Sequence, residues 1–251
     1  MNKTILFANQ KGGVAKTTLT ASVGAQLPRK TLLVDVDPQA SLTDMFGIQP
    51  KASMYHVLGD SKAGSQSIES IIVPLAPNLD LAPSDVDLAL SETGLIIGQK
   101  RWEYLLQKAL DPVRSKYDWI VIDSPPNLGA LTTCGIMAAD WVIVPTQLTA
   151  MAIKGMNLFL DTLRATQADY GSDAAQLHGV ICTLTDMRLV VANEMLAALQ
   201  AREDLPLLKT LIPKLVAFEE ASLMGQTIQQ YAPSSKAAKS IAELTKEIIN
   251  G

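Results

Sequence analysis

The chain has 251 residues, 48% of them hydrophobic, which is enough to bury a full core and lies near the upper size for one α/β domain. With 21 basic against 25 acidic residues, a net charge of −4 and a pI near 5.2, it does not read as a constitutively basic nucleic-acid binder, although a local basic patch is compatible with that balance. The two cysteines, Cys134 and Cys182, lack CxxC spacing, so neither a disulfide framework nor a zinc site is expected; no apolar run is long enough to span a bilayer and no signal-like segment precedes the first strand, so a soluble, cytoplasmic protein without membrane attachment is expected.

In chain order, periodicity predicts a strand over Thr4 to Ala8, a helix from Thr17 to about Leu27, a strand over Thr31 to Asp35 and a switch-like loop from Asp37 to Gly47, which together make a βαβ unit. Pro74, Pro77 and Pro83 surround a short strand at Leu79 to Ala82, and a helix near Arg101 to Leu110 carries Trp102, Leu105 and Leu106 on one face. The apolar run from Asp118 to Asp123 reads as a buried parallel strand. Further strands are expected at Trp141 to Val144, Gly179 to Leu184 and Leu207 to Ile212, separated by helices such as Ala150 to Ala165 and Val190 to Ala201. Ser234 to Ile249 closes the chain as an amphipathic helix. Without repeats, low-complexity tracts or a linker, residues 1–251 are expected to form a single α/β domain, a doubly wound, mostly parallel sheet flanked by helices.

Three segments carry chemistry. Asn9-Gln10-Lys11-Gly12-Gly13-Val14-Ala15-Lys16-Thr17-Thr18-Leu19 follows the first strand and opens the first helix, the arrangement in which small residues let backbone N–H groups close around a polyphosphate. Lys16 stands where a phosphate lysine belongs and Thr17 where a magnesium ligand belongs. A strict GxxxxGK[ST] pattern fails at Gln10 and at Ala15, and because the Cβ of Ala15 disfavours positive φ, a helix-compatible backbone is expected there. The second segment, Leu32 to Gln39, brings Asp35 and Asp37 out of a strand end, where a carboxylate near a γ-phosphate has work in phosphoryl transfer or, alternatively, caps a helix. In the third, Trp119 to Gly129, Asp123 ends an apolar strand and is placed to hold magnesium through water while Thr17 binds it directly.

These motifs resemble the deviant P-loop of the ParA/MinD family of ATPases, with the added Lys11, the DxDPQ segment at 35–39 and the DxPPxxG run at 123–129 closest to the short ParA/Soj type, McdA-like proteins included. Counterparts of LDLAPSD at 79–85, VIVPTQLTAMAIKGM at 142–156, LTDMR at 184–188 and IPK at 212–214 extend the resemblance over nearly the whole chain. It implies a P-loop fold with ATP and Mg2+ as cofactors, ATP held by Gly12 to Thr18 with Pro213 against the adenine, and an attacking water oriented by Asp37, itself a possible metal contact. It also implies a sandwich homodimer in which Lys11 reaches the partner's phosphates, whereas a residue read alone there is a solvated loop charge. A ParB-like or McdB-like adaptor would stimulate hydrolysis, and the ATP-bound dimer would ride on non-specific nucleoid DNA to position a plasmid, a chromosome origin or a compartment such as a carboxysome.

The basic surface departs from the family pattern: Arg188 and Lys214 keep basic positions, but Ala217 fills another and Glu219 and Glu220 follow. Arg188, Lys214, Lys236 and Lys239 are the DNA-binding candidates, each otherwise a solvated helix charge. His56 and His178 lack metal-ligand neighbours, Met151 and Met156 read as core fillers, and Lys154 reads as either a phosphate contact or an exposed charge. A MinD-like membrane regulator would need a basic amphipathic C-terminal extension, which Lys246 to Gly251 does not supply. Metabolic relatives such as a nitrogenase-type reductase or an iron–sulfur scaffold would need cysteines in suitable spacing, and a tyrosine autokinase a terminal tyrosine cluster.

Overall fold

The computed structural model describes residues 2–59, 66–91 and 100–251. Among them an eight-stranded sheet is built from β1 (Lys3–Phe7), β2 (Thr31–Asp35), β3 (Val73–Ala76), β4 (Leu79–Ala82), β5 (Trp119–Asp123), β6 (Trp141–Thr146), β7 (Gln176–Thr185) and β8 (Leu207–Pro213). The spatial order is β3-β4-β2-β5-β1-β6-β7-β8, and only the β3–β4 pairing is antiparallel. The predicted strands are present, several running a few residues beyond their expected ends. Strand β3 was not expected because Pro74 interrupts its sequence; at a sheet edge the missing N–H costs no ladder bond, and that is where β3 lies.

The helices are α1 (Lys16–Gln26), α2 (Ser41–Met45), α3 (Met54–Leu58), α4 (Leu105–Arg114), α5 (Ala130–Ala138), α6 (Ala150–Tyr170), α7 (Val190–Gln200), α8 (Val216–Leu223), α9 (Ile228–Tyr231) and α10 (Lys236–Asn250). Two expectations are corrected. The loop from Asp37 to Gly47 contains α2, and the helix expected from Arg101 starts with a single 3-10 turn, α4 proper beginning at Leu105, because Arg101 holds a left-handed backbone at φ 60°. Helix α5 escaped the periodicity reading because it is buried all round: Leu131, Cys134, Ile136 and Met137 cover more than one face, so no polar stripe marks its period.

Successive residues along the central strands point to opposite faces, and both faces are covered, so the strands read as continuous apolar runs. Ile5, Phe7, Leu33 and Val121 pack against α1, α8 and α10; Leu6, Leu32, Ile120 and Ile122 pack with α4, α5 and α6. Neighbouring strands β1 and β5 send their chains in opposite directions, β1 through α1 to β2 and β5 through α5 to β6, and the crevice over their carboxyl ends is where such sheets receive ligands. No helix among the described residues is long and apolar enough to cross a membrane.

Helix α1 lies close enough to β2 that a Cβ on Gly24 would sit 2.3 Å from Leu33 Cδ2, and Leu33 is fully buried. Gly24→Ala is therefore expected to lower the unfolding free energy by about 1–3 kcal/mol through overpacking, although alanine favours an open helix by about 1 kcal/mol. Urea unfolding measures the change; an unchanged midpoint would mean that the α1–β2 contact is looser than described.

Candidate nucleotide site

Helix α1 has no side-chain cap and no acidic residue in its first turn, so its leading N–H groups and the positive end of its dipole are left to whatever sits in front of them. An anion is the complementary occupant. The loop in front is set from neighbouring strands. Gln147 Nε2 donates to Gly13 O at 2.7 Å and Thr183 Oγ1 to Val14 O at 3.0 Å. Because a trans peptide points its N–H opposite to its C=O, these two pins turn the N–H groups of Val14 and Ala15 to the other side of the loop. Gly13 is at φ 72°, which glycine adopts without strain.

Ala15 corrects an expectation. Its backbone is left-handed, φ 68° and ψ 26°, and not helix-compatible. The requirement is positional: the residue before Lys16 must turn the chain from the loop into α1, and the methyl group is carried there at a cost of about 1–2 kcal/mol.

Three carboxylates gather behind the loop. Asp35 and Asp123 are paired across β2 and β5 and both are fully buried; Asp37 follows, 7% exposed. Thr17 Oγ1 donates to Asp123 Oδ2 at 2.7 Å, and Thr20 Oγ1 lies 3.3 Å from Asp123 Oδ1. Burial drives the carboxyls of Asp123 and Asp35 well above the ordinary range, and for Asp35 the neighbouring charge of Asp123 adds to it. Lys16, 7% exposed, is the nearby countercharge: burial lowers its pKa while Asp123 and Asp37 pull it back up. Its Nζ meets Lys11 O at 3.4 Å.

The three acids do different things. Asp35 Oδ2 accepts from Thr43 N at 2.9 Å and Thr43 Oγ1 at 2.8 Å, which caps α2 from a distance, and its Oδ1 accepts from Asp37 N. It is a structural acid, in keeping with the capping alternative. Asp37 spends one oxygen on Gln39 N and lies near enough for its charge to act on Lys16. Asp123 and Thr17 form the donor set able to hold a divalent cation. A hydroxyl and a carboxylate suit Mg2+, an ion that takes few protein ligands and completes its shell with phosphate and water.

The remaining sequence candidates are distributed by the topology. Lys11 is exposed beside the loop, and Pro213 ends β8 half-buried opposite Thr185. Arg188 follows β7, and Lys214 follows β8 with its N–H on Thr185 O at 3.1 Å. Helix α10 runs antiparallel to β8, since Glu247 near its end accepts from Lys209 N and Thr210 N; Lys236 and Lys239, near its start, therefore lie toward the same end of the sheet as Lys214. Arg188 is already engaged: Asp186 takes its Nε at 2.8 Å and one terminal nitrogen at 2.7 Å. Met151 is 70% exposed, contrary to its reading as a core filler, because it lies on the outer side of the first turn of α6; Met156 is fully buried as expected. Lys154 is exposed. His56 closes a capping box with Ser53, and His178 stacks on Trp141 at 4.3 Å. Sequence reasoning gave no role to Asn9, Gln147 or Thr183: Gln147 and Thr183 reach the loop by tertiary packing, and Asn9 joins it by a local turn onto Lys11 N while anchored to Pro145.

A glycine-rich loop between a strand and a helix, backed by Thr17 on that helix bonded to Asp123 at the end of the neighbouring strand, defines a P-loop nucleotide site. Residues 2–176 match the family model described as an AAA domain. The sporulation initiation inhibitor protein Soj of Bacillus subtilis is 35% identical over 99% of this chain and 98% of its own length, and the chromosome-partitioning ATPase Soj of Treponema pallidum is 35% identical with the same coverage. A crystal structure of cobyrinic acid a,c-diamide synthase from Mycobacterium smegmatis with bound ADP and magnesium superimposes with a TM-score of 0.85 at 34% identity, covering 100% of this chain and 95% of that one. The chain belongs to the ParA/Soj family of chromosome-partitioning P-loop ATPases.

The strain at Ala15 is testable. Ala15→Gly is expected to raise the unfolding free energy by about 0.5–1 kcal/mol, the left-handed cost removed less the entropy glycine adds to the unfolded chain. Chemical denaturation of the two proteins checks it; a less stable Ala15→Gly protein would show that the methyl group's packing outweighs its backbone cost.

Proposed function

We propose that this chain is a magnesium-dependent ATPase whose ATP-bound homodimer positions cargo by transient association with DNA. The observation that carries the reading is the excess of buried carboxylate over ammonium behind an uncapped helix N-terminus. Asp123 and Asp37 act on the one lysine Lys16, and a polyphosphate brought to such a place would be favoured with a divalent cation, which Thr17 and Asp123 would hold. The magnesium and ADP bound by the 34% identical structure support the same pairing. When bound, the cation draws charge from the phosphate oxygens as the terminal bond breaks.

The chain's own residues divide the remaining work. Gly12, Gly13, Val14, Ala15 and Thr18 supply backbone N–H groups, Lys16 the charge on the phosphates, and Thr17 and Asp123 the cation contacts. Asp37, buried and near enough for its charge to act on Lys16, orients the attacking water; Pro213 borders the adenine. Phosphoryl transfer needs positioning and charge stabilisation more than covalent help, which is what this set provides. Lys11 acts across a two-fold axis on the partner's phosphates, so ATP joins two subunits and hydrolysis releases them. A ParB-like or McdB-like adaptor accelerates that release. Arg188, Lys214, Lys236 and Lys239 form the DNA-facing edge, near the nucleoid; with Arg188 paired to Asp186 and Glu219 and Glu220 close by in the chain, the affinity is modest and strongly salt-dependent.

A metabolic reading is raised by the diamide synthase name of the similar structure. An amide-forming enzyme fed by glutamine needs an activated thiol, and both cysteines here are buried, with the Cys182 thiol pushed up to about 12 by burial. That disfavours it.

Two variants separate binding from turnover. Lys16→Ala is expected to lose at least about a hundredfold in ATP affinity, read by calorimetry, and unchanged affinity would refute the loop assignment. Asp37→Ala is expected to bind ATP and dimerise with turnover lowered about a hundredfold or more; wild-type turnover would take Asp37 out of the chemistry. The Asp37→Ala protein should also bind random duplex DNA with ATP and not with ADP, more weakly as salt rises. No binding in either state would remove DNA as the track and leave an ATP-gated dimer.

A further inference from the structure

We propose that Asn9 and Gly155 are positioning residues for Lys11, fixing where its side chain leaves the loop. The proposal rests on the reading of Lys11 given above and names what holds that lysine in place. Asn9 is 1% exposed and bridges two strand ends: its Nδ2 donates to Pro145 O at 2.6 Å, and its Oδ1 accepts the backbone N–H of Lys11 at 2.9 Å. The carbonyl of Lys11 is met by Lys16 Nζ. The main chain of Lys11 is therefore held at both its N–H and its C=O, while its ammonium has no ion pair among the described residues and stands exposed. Order is invested in the root of the side chain and not in its head, as suits a group whose target lies outside its own subunit.

Gly155 completes the clamp from helix α6. It has no positive φ to explain a glycine, and a glycine inside a helix costs about 1 kcal/mol relative to alanine. A Cβ at this position would lie 3.1 Å from Lys11 Cβ, 3.5 Å from Asn9 Oδ1 and 3.6 Å from Lys11 N. The missing methyl group is what lets α6 lie against the loop with Lys11 where it is. Thr149, whose hydroxyl accepts from Ala152 N, caps the start of α6. Both halves of the clamp thus belong to one β6–α6 unit, Pro145 at the end of the strand and Gly155 in the helix that follows it.

Gly155→Ala separates this role from a structural one because its two effects have opposite signs. The variant is expected to melt at the wild-type temperature or above and to bind ATP within about twofold of wild type, since Lys16 and Thr17 are untouched. Its turnover should fall about tenfold, a displacement of a few tenths of an ångström costing less than the roughly hundredfold of a full ångström. In a Lys11→Ala background the same substitution should change turnover no further. Wild-type turnover in Gly155→Ala beside an inactive Lys11→Ala protein would overturn the clamp and leave the role of Lys11 standing. Wild-type turnover in Lys11→Ala itself would overturn the role of Lys11, and the clamp with it. A further loss in the double variant would also overturn the proposal, by showing that Gly155 acts through the cradle. Asn9→Ser, which shortens the tie to Lys11 without adding bulk, is the second variant, expected to show the same split between unchanged ATP affinity and reduced turnover; if it too keeps wild-type turnover while Lys11→Ala is inactive, the clamp is refuted even where Gly155→Ala fails to fold.

Discussion

Burying Asp35, Asp37 and Asp123 at one end of a parallel sheet against the single ammonium of Lys16 is the constraint around which the rest of the molecule is arranged. Ionised carboxylates are expensive to desolvate, and the structure answers each differently. Asp35 is absorbed into the fold by Thr43 and the backbone N–H of Asp37. Asp123 is met by two threonine hydroxyls, which leave its charge only partly answered. The unanswered part is the site's affinity for a cation, and the uncapped start of α1 is its affinity for an anion. A nucleotide carrying its metal satisfies both together, so the stability of this end of the sheet is coupled to occupancy.

The loop between those two demands does not hold its own shape. Gln147 and Thr183, from the ends of β6 and β7, take its carbonyls, and Asn9 ties its first turn to Pro145. Strands on the far side of β1 from the acids thus decide where the loop N–H groups point. Strain is accepted in return at Ala15, where a residue with a Cβ occupies a left-handed turn. A change in the relation of β6 and α6 to β1 would be felt both at Lys11 and at Gly13.

The outer edge formed by β7 and β8 has a different character. Leu189, Val190 and Val216 are more than half exposed at the starts of α7 and α8, close in sequence to Arg188 and Lys214, and the charge of Arg188 is shared with Asp186. That internal pair already answers the charge of Arg188, so the edge presents less free positive charge than its basic residues alone suggest.

Much of this was legible in the residues. Strand ends at Asp35 and Asp123, the loop from Lys11 to Thr18 and the alternation of strands with helices are local patterns, and local patterns survive into the fold because backbone hydrogen bonding and side-chain burial read the same periodicity. Strand β3 was hidden by Pro74 and helix α5 by its complete burial, each a case where position in the sheet overrode the pattern. The left-handed turn at Ala15 ran against the preference of its own side chain, since the geometry of entry into α1 outweighs one residue's propensity. The sequence by itself determined the fold class, the phosphate loop and the acids behind it, because each is written in consecutive residues. Only the tertiary structure decided that Asp35 is a structural acid, engaged by Thr43 as the chain turns into α2, that Asn9 is tied to Pro145, that Gln147 and Thr183 shape the loop, and that Gly155 yields space to Lys11: all but the first depend on groups more than a hundred positions apart being brought within hydrogen-bond or van der Waals distance, which no local spacing encodes.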